Sequence, residues 1–387
     1  MPLRSALGRA IVLSSGFILV LPLWIRGNRA DPLFLLPMLG WIALACLRRP
    51  GGWRAQLMGI GRTAAIAMAC LCLAVWAASG SFAVMQIVIV GLVFGLLVAV
   101  HCAIARDGMR IRRLIMHAML ALLWIPVGMM IANASYGWPG DNQRPKVTLL
   151  SSMPLVWGVA GQDVAAILAG QSASTPIYDL LTSTADVQLA DAIVADRLQS
   201  TDVLLLIQPR PLPPEGLVTL DDWVRRGGSI LWLADPNLGL NADFHLGDPR
   251  NPEQSEANLA LLNRWGLQWH QSAATGDVMR WRVRDNAIPL VLFAPGQFVA
   301  RERNCRLRAR GRIADCRVGA GRALILADAD MVRAEYWLIA PEGPADRPIQ
   351  WTSGNGYWIV RALRDLAGLP ATGSLAQPIW LRPWVQS

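Results

Sequence analysis

The chain has 387 residues, of which 53% are hydrophobic and only 16% charged. An ordinary soluble domain carries about 25% charged residues, so the balance excludes a purely soluble protein and places part of the chain in lipid. Twelve arginines and three acids precede residue 144, so the whole net charge of +9 sits there; the other 24 basic and 24 acidic residues cancel. The basicity is therefore a membrane signature. With no basic patch interleaved with aromatics in the neutral part, nucleic-acid binding is set aside.

Five apolar stretches are predicted as membrane spans, over about 10–25, 32–47, 63–79, 83–105 and 114–134. No charge interrupts the run between Arg62 and Arg106. As helix that run is about 64 Å long, enough for two crossings of a roughly 30 Å core, with Ser79-Gly80-Ser81 as the turn. Arg4 and Arg9, then Arg48, Arg49, Arg54 and Arg62, then Arg106, Arg110, Arg112 and Arg113 fall in alternate loops. The positive-inside rule then places the N-terminus in the cytoplasm and everything after residue 135 outside, in a bacterial inner membrane. The first span lacks a small-x-small site and is read as a retained span. His101 and His117 fall near the cytoplasmic ends of adjacent helices. A haem between them is one reading, and two interfacial histidines the plainer one. Cys46, Cys70, Cys72 and Cys102 are read as small apolar residues.

After a linker over 136–145 the pattern changes. "KVTLLSS" (146–152), a segment around "DVQLAD" (186–191) and "DVLLLIQP" (202–209) read as strands, the last a continuous apolar run suited to burial on both faces. "QDVAAILAG" (162–170) reads as a helix. Pro213-Pro214-Glu215 opens another, with proline in the first turn and an acid at the positive end of the dipole. Leu217, Leu220, Trp223 and Val224 form its apolar face, and Gly227-Gly228 stops it. "SILWLAD" (229–235) follows as a strand. Strand, helix and strand joined by short turns imply a parallel unit with a right-handed crossover. "NLALLNRWG" (258–266) and "NGYWIVRALRDLAG" (355–368) read as helices, "GRALILADADM" (321–331) repeats the strand-then-Asp pattern, and 278–318 reads as an antiparallel insertion or edge. The predicted fold is thus an α-helical membrane region over 1–135, then an α/β domain over 146–372 with a mostly parallel, flavodoxin-like three-layer sheet and an antiparallel insertion. A tail covers 373–387.

The stretch "DVLLLIQPRPLPPEGLVTLDDWVRRGGSILWLADP", then "LLNRWGL", then "GRALILADADMV" resembles the class I glutamine amidotransferase-like domain. The closer similarity is to the branch found in auxiliary, membrane-anchored components of gliding-motility-type ABC transport systems, over roughly 146–370. In the active amidotransferases this strand ends in a cysteine on a sharp elbow. Here it ends in Leu233-Ala234-Asp235-Pro236. The thiol is missing, and Pro236 replaces a residue that would donate a backbone N–H to an oxyanion. The resemblance therefore implies a catalytically silent domain with no catalytic residue.

The loop "DPNLGLNADFHLGDPRNP" (235–252) carries Asp235, Asp243, His245 and Asp248. It follows the C-terminal end of a parallel strand, where ligands bind in such sheets. Asp328 and Asp330 sit at a second strand end expected to face it. Together these six residues are the candidate ligand-binding loop, with no metal or cofactor assigned. His270, after Trp269 at a strand end, is read as structural. Cys305 and Cys316 flank "RLRARGRIAD", read as a basic hairpin turning near Gly311. In a compartment outside the cytoplasm they are expected to form a disulfide, bridging a Cα separation of about 4.4–6.8 Å. The seven arginines from Arg301 to Arg317 would suit docking to an acidic partner or an anionic membrane surface. The expected function is binding or scaffolding within an envelope ABC-type transport or assembly complex. Its partners would be membrane lipids and other complex subunits, including a separate ATPase and permease, because the chain holds no Walker motif. The alternatives are a membrane-tethered hydrolase using the acidic loop 235–248 with a metal, and a cytochrome-like protein using His101 and His117.

Overall fold

A computed structural model describes residues 29, 32–39, 42, 65, 68–80, 82, 84–104, 110–136, 144–156, 174–236, 238–240, 245, 248, 251–270, 280–339, 351–370 and 377–381. The chain forms two units, Met1–Gly137 with Ser374–Trp384, and Trp138–Gly373 with Val385–Ser387.

In the first unit, two helical segments among the described residues are long and apolar enough to cross a membrane: Val84–Ile104, with mean hydropathy 2.8, and Ile115–Ser135, with mean hydropathy 2.0. They fall on the fourth and fifth predicted spans. The third is represented by a shorter apolar helix, Met68–Ser79. The first lies outside the described residues. The described part of the second begins as a 3-10 helix, Pro32–Met38. Its Leu33, Leu35 and Leu36 are buried, and the Trp124 indole N–H donates to the Leu36 carbonyl at 2.5 Å. Gly128 allows the approach: a Cβ there would meet the Pro37 nitrogen at 2.6 Å. Residues of the tail complete this unit. Gln86 donates to the Gln377 carbonyl at 2.6 Å, and the buried Arg29 guanidinium lies 5.1 Å from the Tyr136 ring centre and 5.5 Å from that of Trp380.

The second unit is an α/β domain around a seven-stranded sheet. The main-sheet strands are β1 (Lys146–Ser151), β2 (Asp186–Leu189), β3 (Val203–Ile207) and β4 (Ser229–Leu233), then β9 (Cys305–Arg308), β10 (Ile313–Val318) and β11 (Gly321–Leu326). Their order is β2-β1-β3-β4-β11-β10-β9. The first five are mutually parallel, while β10 and β9 run antiparallel at one edge. The parallel part therefore has the doubly wound order with its switch point between β1 and β3. All five residues of β3 are buried, as its unbroken apolar run requires for a central strand covered on both faces.

The Pro214–Arg225 helix ends where Gly227 takes φ +120°, a conformation that only glycine adopts without strain. Leu220 and Val224 are buried in the core beside Leu206, Ile230 and Trp232. Asp221, on the same helix, is buried too. Its carboxylate accepts from Arg225 at 2.9 Å, Arg264 at 2.6 Å and the Trp265 indole at 2.8 Å, tying this helix to Leu259–Arg264. The predicted helix over 162–170 lies outside the described residues. A helix absent from the sequence reading, Pro176–Thr184, stands between β1 and β2 and buries Ile177, Leu180, Leu181 and Thr184. The region expected as an antiparallel insertion or edge supplies the antiparallel edge of the main sheet and two small antiparallel sheets. β6 (Arg280–Asp285) and β7 (Ile288–Phe293) form their own two-stranded sheet, and β8 (Gln297–Ala300) pairs with β5 (Leu267–His270). Only β9 and β10 extend the main sheet.

Candidate functional site

The register of β4 with β11 sets Leu326 opposite Leu233. Each strand continues Leu-Ala-Asp, so the repeat carries Asp235 and Asp328 out of the sheet side by side. Asp330, two residues on, joins them. Carboxylate oxygens of the three lie within 4.8 Å of one another, and all three residues are fully buried. The sequence reading placed these residues at facing strand ends, and the structure brings them together.

The oxygens are engaged in holding loops. Asp235 Oδ2 accepts the amide N–H of Ala329 at 2.9 Å and of Asp330 at 3.4 Å. Asp328 accepts from Met331 at 3.1 Å and Phe293 at 2.6 Å. Asp330 accepts from Gly239 at 2.5 Å and from the Arg333 guanidinium at 3.3 Å. Burial, then the charges of Asp235 and Asp330, push Asp328 well above the ordinary carboxylate value. Burial also raises Asp330, against the opposing pull of the Gly239 amide and Arg333. Burial and mutual repulsion thus both act against three full charges in this group.

The rest of the predicted loop set does not join this group. His245 is exposed and Asp248 half-buried; their backbones close a turn, with the Asp248 amide donating to the His245 carbonyl at 3.0 Å. Asp243 lies outside the described residues. His270 ends β5 and is exposed.

Sequence reasoning missed Gln208. It follows β3 at the switch point, is fully buried and takes φ +43°. Its side-chain oxygen accepts the Asp235 amide at 2.8 Å, and its amide group donates to the carbonyls of Asp235 at 3.2 Å and Glu253 at 3.1 Å. Ser152, just past β1, donates to the Gln208 carbonyl at 2.6 Å and accepts the Glu253 amide at 2.9 Å. The chain's own 251–256 segment is thereby stitched over the ends of β1, β3 and β4, the crevice that binds ligands in open sheets of this order. Glu256 completes the seam. Its buried carboxylate accepts from Trp232 at 3.0 Å and from the Asn258 amide at 2.7 Å, and burial still raises its pKa. The one available signal was a glutamine directly after five apolar strand residues, an abrupt polar group where the strand leaves the core.

Two further pairs singled out in the sequence lie away from these carboxylates. His101 and His117 face each other, with their Nδ1 atoms 2.7 Å apart. Cys305 and Cys316 form a disulfide directly across the β9–β10 ladder. Their Cα atoms are 4.0 Å apart, closer than expected. The turn is a 3-10 segment, Ala309–Gly311, in which all three residues have positive φ. The ribbon is less uniformly cationic than its sequence suggested. Arg308 pairs with Asp285 at 3.4 Å, and the buried Arg312 lies 4.4 Å from the centre of the Trp281 ring.

Residues 144–301 match the family model ABC_transp_aux, described as an ABC-type uncharacterized transport system. The match supports an auxiliary component of such a system. No curated protein matches the chain. Similar solved structures include an exo-β-1,4-mannosidase from an Opitutaceae bacterium, strain TAV5. It is 13% identical with TM-score 0.30, over 64% of this chain and 38% of that one. A β-galactosidase from Halorubrum lacusprofundi is 12% identical with TM-score 0.34, over 65% of this chain and 34% of that one. The cytoplasmic protein STM1381 from Salmonella typhimurium LT2 is 12% identical with TM-score 0.29, over 57% of this chain and 99% of that one. The chain thus covers about a third of the length of the glycoside hydrolases, and similarity at these scores carries no argument about activity.

Proposed function

We propose that this chain is an accessory subunit of an envelope ABC-type transport or assembly complex. In this reading a polytopic inner-membrane region carries an amidotransferase-like α/β domain, held in the periplasm, that binds or scaffolds partners without covalent catalysis. The observation that carries the reading is the family match over residues 144–301, which covers the parallel strands β1 to β4 and the loop after β4. Two features of the site support the silent role. The strand that would present a nucleophile ends in Asp235-Pro236, and the Asp235 carboxylate is spent on the amides of Ala329 and Asp330. The switch-point crevice is occupied by Gln208 and the 251–256 segment. A complex of this kind needs a separate ATPase, because the chain has no phosphate-cradling Gly-rich loop followed by lysine.

The test is crosslinking in living cells, followed by capture of the full chain and mass spectrometry. The expected result is joint enrichment of one nucleotide-binding ATPase and one permease. Enrichment of neither, relative to an unrelated inner-membrane protein of similar abundance, refutes the assignment.

A further inference from the structure

A polar cavity lies away from the strand-end carboxylates, between the β6–β7 turn, β9 and the Asn355–Leu366 helix. Its volume is about 110 Å³, and it is lined by Asp285, Asn286, Arg308, Trp358, Arg361 and Asp365 over an apolar floor that includes Leu324. A water molecule occupies about 30 Å³ in the liquid, so the space suits a few waters or one small solute.

The donors and acceptors around this space are unequal. Both aspartates are already engaged. Asp285 accepts the Trp358 indole N–H at 2.7 Å and faces Arg308 Nη1 at 3.4 Å. Asp365 is paired with Arg322 at 2.8 Å, and Arg322 also makes two bonds to Asp315. The arginines are not engaged to match. Each guanidinium carries five N–H donors. Among the described residues Arg308 has only the long contact to Asp285, made by one of its two terminal nitrogens. Among the described residues Arg361 has no hydrogen bond or ion pair. Two planar guanidinium forks on one cavity are suited to sharing the oxygens of a single small anion.

We propose that this cavity is a binding site for a small free oxyanion, of the size of acetate, sulfate or phosphate, held between Arg308 and Arg361. Arg308 is the inner, more constrained fork on β9. Arg361, half-buried on the helix, is the outer one. The site is independent of the strand-end carboxylates and of the transport assignment.

The experiment uses the full chain in neutral detergent and follows thermal unfolding with sodium phosphate, sulfate and acetate, each against sodium chloride at equal ionic strength. A saturable rise in unfolding temperature is expected with at least one oxyanion and not with chloride, because a ligand that binds only the folded state stabilises it. Arg361→Gln places a shorter, neutral polar side chain at a half-buried position and is expected to fold, which circular dichroism checks. It should raise the midpoint concentration about tenfold or more, the scale of a lost charge-assisted hydrogen bond. Arg308→Gln should act in the same direction. If no oxyanion gives a saturable rise, or if folded Arg361→Gln responds as the wild type does, the proposal is overturned.

Discussion

Asp235→Asn separates the two uses of the buried carboxylates. In the wild type, Asp235, Asp328 and Asp330 place oxygens within 4.8 Å of one another in a fully buried position. Two full charges at that separation repel by roughly 3 kcal/mol at an effective dielectric constant of about 20. Sharing of protons relieves part of this, so removal of one charge should stabilise the domain by about 1–3 kcal/mol at neutral pH. Asparagine keeps an oxygen to accept the Ala329 and Asp330 amides, and its new N–H₂ group points among carboxylates that can accept from it. The pH dependence fixes the sign. Asp328 has a raised pKa in the folded state, so the folded chain retains a proton that the unfolded chain releases. Its contribution is complete below the unfolded value and is lost as pH rises through the folded one. Wild-type stability should therefore fall across that window. Asp235→Asn, which removes a charge that raises Asp328, should fall less, so its advantage over the wild type grows with pH. Urea unfolding of the full chain in detergent, followed by tryptophan fluorescence at about pH 5 and about pH 8, measures both. If the variant is the less stable protein at the higher pH, and millimolar divalent cation stabilises only the wild type, the carboxylates hold a cation and the loop-anchoring argument fails.

Asp221→Asn should do the opposite. Burial pushes Asp221 up, but hydrogen bonds from Arg225, Trp265 and Arg264 outweigh it and hold the pKa below the ordinary value. Its contribution is thus present above the unfolded pKa and lost as pH falls through the folded one. With both arginines substantially exposed and so screened, the loss should be about 2 kcal/mol at neutral pH, read from urea midpoints. Peptides from protein digested without reductant should contain Cys305 linked to Cys316, and replacing both cysteines by serine should reduce stability by about 2–3 kcal/mol; free labelling of both thiols in unreduced protein would contradict this. A phosphatase reporter fused after Asp141 should be active and one fused at Gly52 silent, and the reverse result would invert the topology read from the arginines.

Much of the architecture was written locally. Continuous apolar runs marked β3 and β4 as buried parallel strands, because a strand covered on both faces needs no alternation. The proline pair and the glycine pair bounded the Pro214–Arg225 helix through backbone preferences that act within a few residues. The symmetric cysteines about Gly311 named the disulfide for the same reason. The Pro176–Thr184 helix was missed because nine residues give too little periodicity to separate from a loop, and burial against the sheet decides it. The strand-end site was only half legible. Two Leu-Ala-Asp repeats are visible nearly a hundred residues apart, but nothing local says that β11 lies next to β4. Strand order is set by long-range packing, and that packing turned two strand-end acids into one buried cluster. Gln208, the fate of the crevice and the arginine-lined cavity are still less local. Each depends on which polar group finds a partner after the chain has closed. Sequence fixes the number of donors and acceptors, and only the tertiary structure decides which of them meet.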